Sequence, residues 1–171
     1  MHCEIDLLRH GLTSAGHAFI GTTDAPLTRS GFDAMNESLA RIEQDYDCIY
    51  SSPLSRCLSF AEDFAKRMSL PLFVKPDLAE LYFGQWENKT SKQLHEDDPT
   101  ALAAFWENPF AFQIPEGENL REFQHRVISQ FTTLAHCNRG KRILLVTHAG
   151  VIRMLLFYFN ESKDKTLFDY E

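Results

Sequence analysis

The chain has 171 residues, 44% apolar and 24% charged, the size and composition of one globular domain that can bury a continuous core, and it is not a disordered one. A formal net charge of −7 weighs against a general nucleic-acid or anionic-membrane binder. No cationic leader with an apolar run opens the sequence and no apolar stretch is long enough to span a bilayer, so a soluble cytoplasmic protein without membrane or nucleic-acid partners is expected.

The first element is a strand at about residues 4–9, where Ile5-Asp6-Leu7-Leu8 leads into Arg9-His10-Gly11. After Thr28-Arg29-Ser30-Gly31, the three-and-four spacing of Phe32, Met35, Leu39 and Ile42 predicts an amphipathic helix. A second strand is expected at about 47–51. A helix opening near Ser52-Pro53 follows, carrying Phe60, Ala61, Phe64, Ala65 and Met68, and then a third strand at about 72–75. Residues from about 80 to 118 differ: they are rich in aromatic, Pro, Asn and acidic residues, with one short helical patch around Ala101, Leu102, Phe105 and Trp106. This stretch reads as an insertion that forms a lid over one edge of a crevice. A long helix through Leu120, Phe123, Val127, Ile128, Phe131 and Leu134 stops at Asn138-Arg139-Gly140. The last clear strand, about 143–147, ends in His148 and gives way to a helix-like stretch from Val151 to Phe159. Alternating strands and helices predict an α/β domain over residues 1–171, with three layers, α/β/α, around a mostly parallel central sheet.

Two histidines at strand ends suggest one shared site, because ligands of open α/β sheets bind outside the carboxyl ends of the strands. Arg9 and His10 leave the first strand, Arg56 follows the second in Ser51-Ser52-Pro53-Leu54-Ser55-Arg56, and His148 leaves the last. Three potential cations and a neutral imidazole are what phosphoryl transfer requires: a nucleophile in line with the leaving oxygen and positive charge on the equatorial oxygens. Arginine suits the second task, since its planar fork meets two phosphate oxygens at once. Cys3, Cys48, Cys57 and Cys137 form no Cys-x-x-Cys pair, so they are read as reduced thiols and not as a zinc or redox motif.

In chain order, Leu8-Arg9-His10-Gly11-Leu12-Thr13, Ser51-Ser52-Pro53-Leu54-Ser55-Arg56, Glu80 with Phe83-Gly84-Gln85-Trp86-Glu87, and Val146-Thr147-His148-Ala149-Gly150 resemble the histidine phosphatase superfamily, the phosphoglycerate-mutase-like group. Gly21 to Thr28, Pro115-Glu116-Gly117-Glu118, Phe123, Arg126-Val127 and Thr147 to Arg153 most resemble its α-ribazole-5′-phosphate phosphatases of cobalamin nucleotide-loop assembly. The resemblance implies a metal-independent and cofactor-free phosphomonoesterase for a small-molecule phosphate ester, monomeric or homodimeric. His10 would form a phosphohistidine, Arg9, Arg56 and His148 would hold the phosphate, and Glu80 would be the general acid. Physical reasons accompany these roles: like charge keeps His10 neutral, a bound dianion favours protonated His148, and an apolar lid raises the pKa of Glu80.

Two positions depart from the family pattern. Leu12 stands where many relatives have an acidic residue, and Gly16 where they have an asparagine. Thr13, Thr22 or backbone N–H groups near Gly21 are the candidates to replace the missing amide. Relatives usually add strands or a helix after the stretch ending near Phe159, and a sheet edge lacking them would be exposed or completed by a neighbour. His2, His17, His95, His125 and His136 are expected at the surface or satisfied in the core, and Phe83, Trp86 and Phe105 are expected to pack. For Glu87, Glu116 and Glu118 a solvated loop charge is the plain alternative to a role in the site. A phosphoglycerate mutase and a non-catalytic phosphate-ligand binding protein are the competing functions.

Overall fold

The computed structural model describes residues 2–160 and 166–169. The elements are β1 (Glu4–Arg9), α1 (Arg29–Leu39), β2 (Cys48–Ser51), α2 (Ser55–Met68), β3 (Leu72–Val74), α3 (Ser91–Asp97), α4 (Pro99–Glu107), α5 (Leu120–Cys137), β4 (Arg142–Thr147) and α6 (Ala149–Phe159), with single 3-10 turns at Pro76–Leu78 and Gly84–Trp86.

Among the described residues the four strands are all parallel, in the order β1-β4-β2-β3. Ile143, Leu144, Leu145 and Val146 of β4 are wholly buried, the unbroken apolar run of a parallel strand covered on both faces. Their alternation divides the core. Ile143 and Leu145, with Cys48 and Tyr50 of β2, pack against Phe123 and Val127 of α5 and Val151 and Met154 of α6. Leu144 and Val146, with Leu8 and Ile49, pack against Met35 and Leu39 of α1 and Phe60 and Phe64 of α2. The result is the three-layer α/β/α arrangement that the sequence predicts. Among the described residues β1 pairs only with β4, so it forms one edge of the sheet, and no helix is long and apolar enough to cross a membrane.

The helix boundaries follow local chemistry. Thr28 caps α1 by accepting from the Gly31 N–H, but the helix stops at Leu39, and Ile42 lies beyond it, exposed. The second helix opens at Ser55, three residues later than Ser52, and ends on Ser69 in the left-handed conformation. The lid holds two helices where the sequence shows one patch. Thr90 and Gln93 close α3 with a capping box, and Asp98 accepts from the Thr100 and Ala101 N–H groups to start α4 behind Pro99. With Leu94 the only buried residue in α3's seven, no apolar period marks that helix in the sequence.

In register, Arg9 lies opposite Thr147 and Ser51 opposite Val146, which brings the ends of β1, β4 and β2 to one rim. The loop that leaves β1 is pressed onto the start of α1. A Cβ on Gly31 would lie 2.2 Å from the Leu12 carbonyl oxygen, and one on Gly11 would lie 2.1 Å from the Gly31 oxygen. Gly31→Ala gains about 1 kcal/mol of helix propensity but pushes backbone against backbone, and overpacking of that kind costs roughly 1–3 kcal/mol. Urea unfolding of Gly31→Ala is therefore expected to show net destabilisation, against the stabilisation that helix propensity alone would give.

Candidate active site

His10 leaves β1 with its backbone N–H on the Thr147 carbonyl at 3.0 Å. Its ring Nδ1 lies 2.9 Å from the Gly11 carbonyl oxygen. A carbonyl can only accept, so Nδ1 carries the proton and Nε2 keeps its lone pair. Burial lowers the pKa of this imidazole to about 4, with help from the charges of Arg56 and Arg9 and against the effect of the Gly11 bond. A neutral nitrogen nucleophile at ordinary pH is the consequence.

His148, at the end of β4, meets His10 edge to face with ring centroids 5.2 Å apart. It is wholly buried. Arg56 Nε donates to His148 Nδ1 at 3.3 Å, so the proton of this ring sits on Nε2, 2.6 Å from Ser52 Oγ. Burial, then the charge of Arg56 and the His10 ring, hold its pKa well below the usual histidine range. The ring is neutral here.

Arg56 is also wholly buried. Besides the bond to His148, Nη1 donates to the Thr23 carbonyl at 2.9 Å, and Nη2 to those of Ile20 at 3.0 Å and Gly21 at 2.7 Å. Four of its five N–H groups are thus donated within the protein. The N–H groups of the same loop run the other way, into the carboxylate of Glu87. Oε1 accepts from Gly21 at 2.9 Å, Thr22 at 3.2 Å and Phe83 at 3.0 Å, and Oε2 from Thr23 at 3.1 Å. Loop 20–23 is strung between a buried guanidinium and this carboxylate.

Glu80 follows the 3-10 turn after β3 and is buried, 7% exposed. Its Oε2 accepts from the Gly150 N–H in the first turn of α6 at 3.0 Å, and Oε1 from the Leu81 N–H at 3.0 Å. Burial raises its pKa and outweighs those bonds and the charges of Arg56 and Arg126, which act downward. Glycine at 150 is required by close approach: a Cβ would stand 2.2 Å from Glu80 Oε1.

A cleft of about 500 Å³ opens on this rim. Arg9, His10, Thr13 and Gly16 line one side and Glu80 and Gly150 another, while Phe19, Phe83, Phe105, Trp106 and Phe168 supply aromatic surface. Of the residues expected from the sequence, Arg9, His10, Thr13 and Glu80 meet in the cleft, whereas Arg56 and His148 back it without lining it. Gly21 and Thr22 do not line the cleft, and their amides donate to Glu87. His17, expected to be ordinary, lines the cleft, as do Phe83 and Phe105 in addition to packing; Trp86 stacks on Phe112 and is buried. Arg153, also in the lining, was missed. Its place one helical turn after Ala149 is the signal that could have found it. The four cysteines are all free thiols, and among the described residues no group of three or more His, Cys, Asp or Glu could hold a metal ion.

A family model described as "Histidine phosphatase superfamily (branch 1)" matches residues 5–171. The chain belongs to the histidine phosphatase superfamily. Similar members include the "Adenosylcobalamin/alpha-ribazole phosphatase" of Escherichia coli strain K12, 30% identical over 88% of this chain and 75% of that protein. The "Metal-independent phosphoserine phosphatase" of Arabidopsis thaliana is 31% identical over 93% of this chain and 69% of its own length. Among solved structures, the YhfR protein of Bacillus stearothermophilus matches with a TM-score of 0.83 at 30% identity, covering 96% of this chain and 82% of that one. The alpha-ribazole phosphatase from Shigella flexneri matches at 0.74 and 27%, covering 92% and 79%. As a histidine phosphatase the chain is a phosphoric monoester hydrolase.

Gly16 occupies the position where the family resemblance leads one to expect an asparagine. Its φ of +62° is a conformation that asparagine tolerates better than most residues, and nothing lies within 4 Å of where a Cβ would stand. Gly16→Asn is therefore expected to fold normally. A side-chain amide hydrogen bond to a charged phosphate is worth roughly 1.5 kcal/mol, so inhibition by inorganic phosphate should tighten about tenfold. Steady-state inhibition by phosphate checks this, and unchanged affinity would mean that position 16 does not face the anion.

Proposed function

We propose that the enzyme hydrolyses small phosphate monoesters through a phosphohistidine on His10, with Glu80 as proton donor, and that α-ribazole 5′-phosphate is its substrate. The observation that carries this reading is the pairing, in one cleft, of an imidazole with its Nε2 lone pair available and a buried carboxyl whose pKa is raised.

In this scheme His10 Nε2 attacks phosphorus, the ester P–O bond breaks, and the departing oxygen takes the Glu80 proton. The phosphorylated ring keeps its Nδ1 proton and gains positive charge, which the Gly11 carbonyl stabilises. Water then attacks phosphorus, gives a proton to the Glu80 carboxylate, and the P–N bond breaks to release phosphate. Glu80 is left protonated and His10 neutral for the next turnover. Arg9 meets the phosphoryl oxygens from the lining of the cleft, and Arg56 contributes charge and its remaining Nη1–H from behind. His148 accepts from Arg56 Nε and, neutral in this arrangement, fixes that guanidinium behind the cleft. These cations supply the charge that a metal would bring in other phosphatases.

The aromatic side of the cleft supports a planar, apolar leaving group over a small polar one. Phe19 and Phe83 meet edge to face at 5.0 Å, and Trp106 and Phe168 at 4.3 Å, so their rings already form an ordered aromatic surface. The name of the similar Escherichia coli protein points to the same substrate. A panel of α-ribazole 5′-phosphate, phosphoserine and 3-phosphoglycerate assayed in EDTA tests the reading. Highest kcat/KM on α-ribazole phosphate, with release of inorganic phosphate, is expected. Phosphoserine ranking first would move the substrate, loss of turnover in EDTA would remove metal independence, and phosphate passing between glycerate hydroxyls would make the protein a mutase.

The pH dependence has a defined sign. His10 must be neutral, so kcat/KM should rise with pH through an acid limb near pH 4. Glu80 must be protonated, so it should fall again above an alkaline limb displaced upward from the ordinary carboxylate range. Glu80→Gln is expected to abolish the alkaline limb and leave the acid limb in place. An alkaline limb that survives in Glu80→Gln would assign it to another group.

A further inference from the structure

Arg126 lies on α5 and does not line the cleft, yet all five of its guanidinium N–H groups are committed. Nε donates to Glu118 Oε1 at 2.6 Å and Nη2 to Glu118 Oε2 at 2.8 Å. The remaining three go to main-chain carbonyls that lead up to the buried carboxyl: Nη1 to Asp77 and Ala79, both at 2.8 Å, and Nη2 to Glu80 at 3.0 Å. Glu118 Oε2 also accepts from the Tyr82 N–H at 3.3 Å. The guanidinium further lies over the Phe123 ring, 4.8 Å from its centroid.

Residues 77–82 have no sheet ladder or long helix to satisfy these groups, and one ion pair does it for them. Both partners are shielded, with side-chain exposures of 22% for Arg126 and 17% for Glu118, so water competes weakly. The neighbouring Leu78 carbonyl is held by the Thr147 hydroxyl at 3.0 Å, which ties the same segment to the end of β4 beside His148.

We propose that Arg126, with Glu118, is a positioning residue for proton transfer: it fixes the main chain of residues 77–82 and thereby aims the Glu80 carboxyl at the oxygen leaving from the His10 site. The inference rests on Glu80 being the proton donor. Misplacement of a catalytic group by about 1 Å can cost 100-fold, and lysine, with three donors and no planar fork, cannot reproduce five directed bonds.

The test compares kcat/KM, which reports steps up to loss of the leaving group, for two esters. p-Nitrophenyl phosphate releases a phenolate that needs no proton, while glycerol 2-phosphate releases an alkoxide that does. Arg126→Lys is expected to lose tenfold or more on glycerol 2-phosphate and less than about threefold on p-nitrophenyl phosphate, part of the roughly 100-fold that a general acid supplies. In a Glu80→Gln background the same Arg126→Lys change should cost less than about twofold on either ester, because the group it positions is already gone. Thermal unfolding is followed in parallel, and if Arg126→Lys does not fold, Glu118→Gln carries the comparison with the same expectations. Equal losses on both esters, or losses that simply multiply with those of Glu80→Gln, would overturn the proposal in favour of general support of the fold. If Glu80→Gln itself shows no dependence on the leaving group, the general-acid reading falls and takes this proposal with it.

Discussion

Parallel pairing of β1 with β4 is the constraint from which the site follows. With Arg9 opposite Thr147, His10 and His148 leave the sheet as neighbours, and their rings meet at 5.2 Å. A slip of one residue would turn every side chain of β1 to the other face and separate the two imidazoles. The register is protected because β4 is the buried centre of the domain: each of Ile143, Leu144, Leu145 and Val146 contributes about 1.5–3 kcal/mol by being removed from water. Core packing of β4 therefore sets where the two histidines leave the sheet, and the bonds of His148 to Arg56 and of Glu80 to Gly150 refine the geometry above it.

Above that floor, burial sets the protonation states. The same desolvation that lowers His10 and His148 raises Glu80, so a base and an acid coexist in one cleft without exchanging roles. Buried Arg56 would be costly if unpaired, and the fold offsets that cost with three carbonyls and an imidazole nitrogen. Glu87 collects the N–H groups of the same loop, so the two charges of opposite sign polarise one short segment from both sides. A second buttress, Arg126 with Glu118, does for the Glu80 segment what Arg56 and Glu87 do for loop 20–23.

Strand ends followed by a histidine and a nearby glycine are visible in sequence because period, polarity and turn chemistry change at one point, and His10 and His148 were legible for that reason. The sheet layers were equally plain, since Ile143 to Val146 and the apolar positions of α1, α2 and α5 follow strand and helix periods. What stayed hidden was mostly bonding to main chain. Arg56 could be placed at the site, but nothing in residue types shows that its donors face the carbonyls of Ile20, Gly21 and Thr23, or that Glu87 takes the amides which seemed free to meet a phosphate. Glu118 looked like a solvated loop charge because its partner, Arg126, lies on the next helix in a different register of the pattern. His17 could not be told from a surface histidine, as its place in the cleft depends on how loop 12–20 folds back.

In the proposed mechanism His10 carries the phosphoryl group. Quenching the enzyme into base during turnover of a phosphate ester, then mapping phosphorylated peptides by mass spectrometry, tests it directly. An acid-labile, base-stable phosphoramidate on His10, and none in His10→Ala, which should also lose turnover, is the predicted result. A phosphoryl group on another residue, or undiminished hydrolysis by His10→Ala, would contradict it.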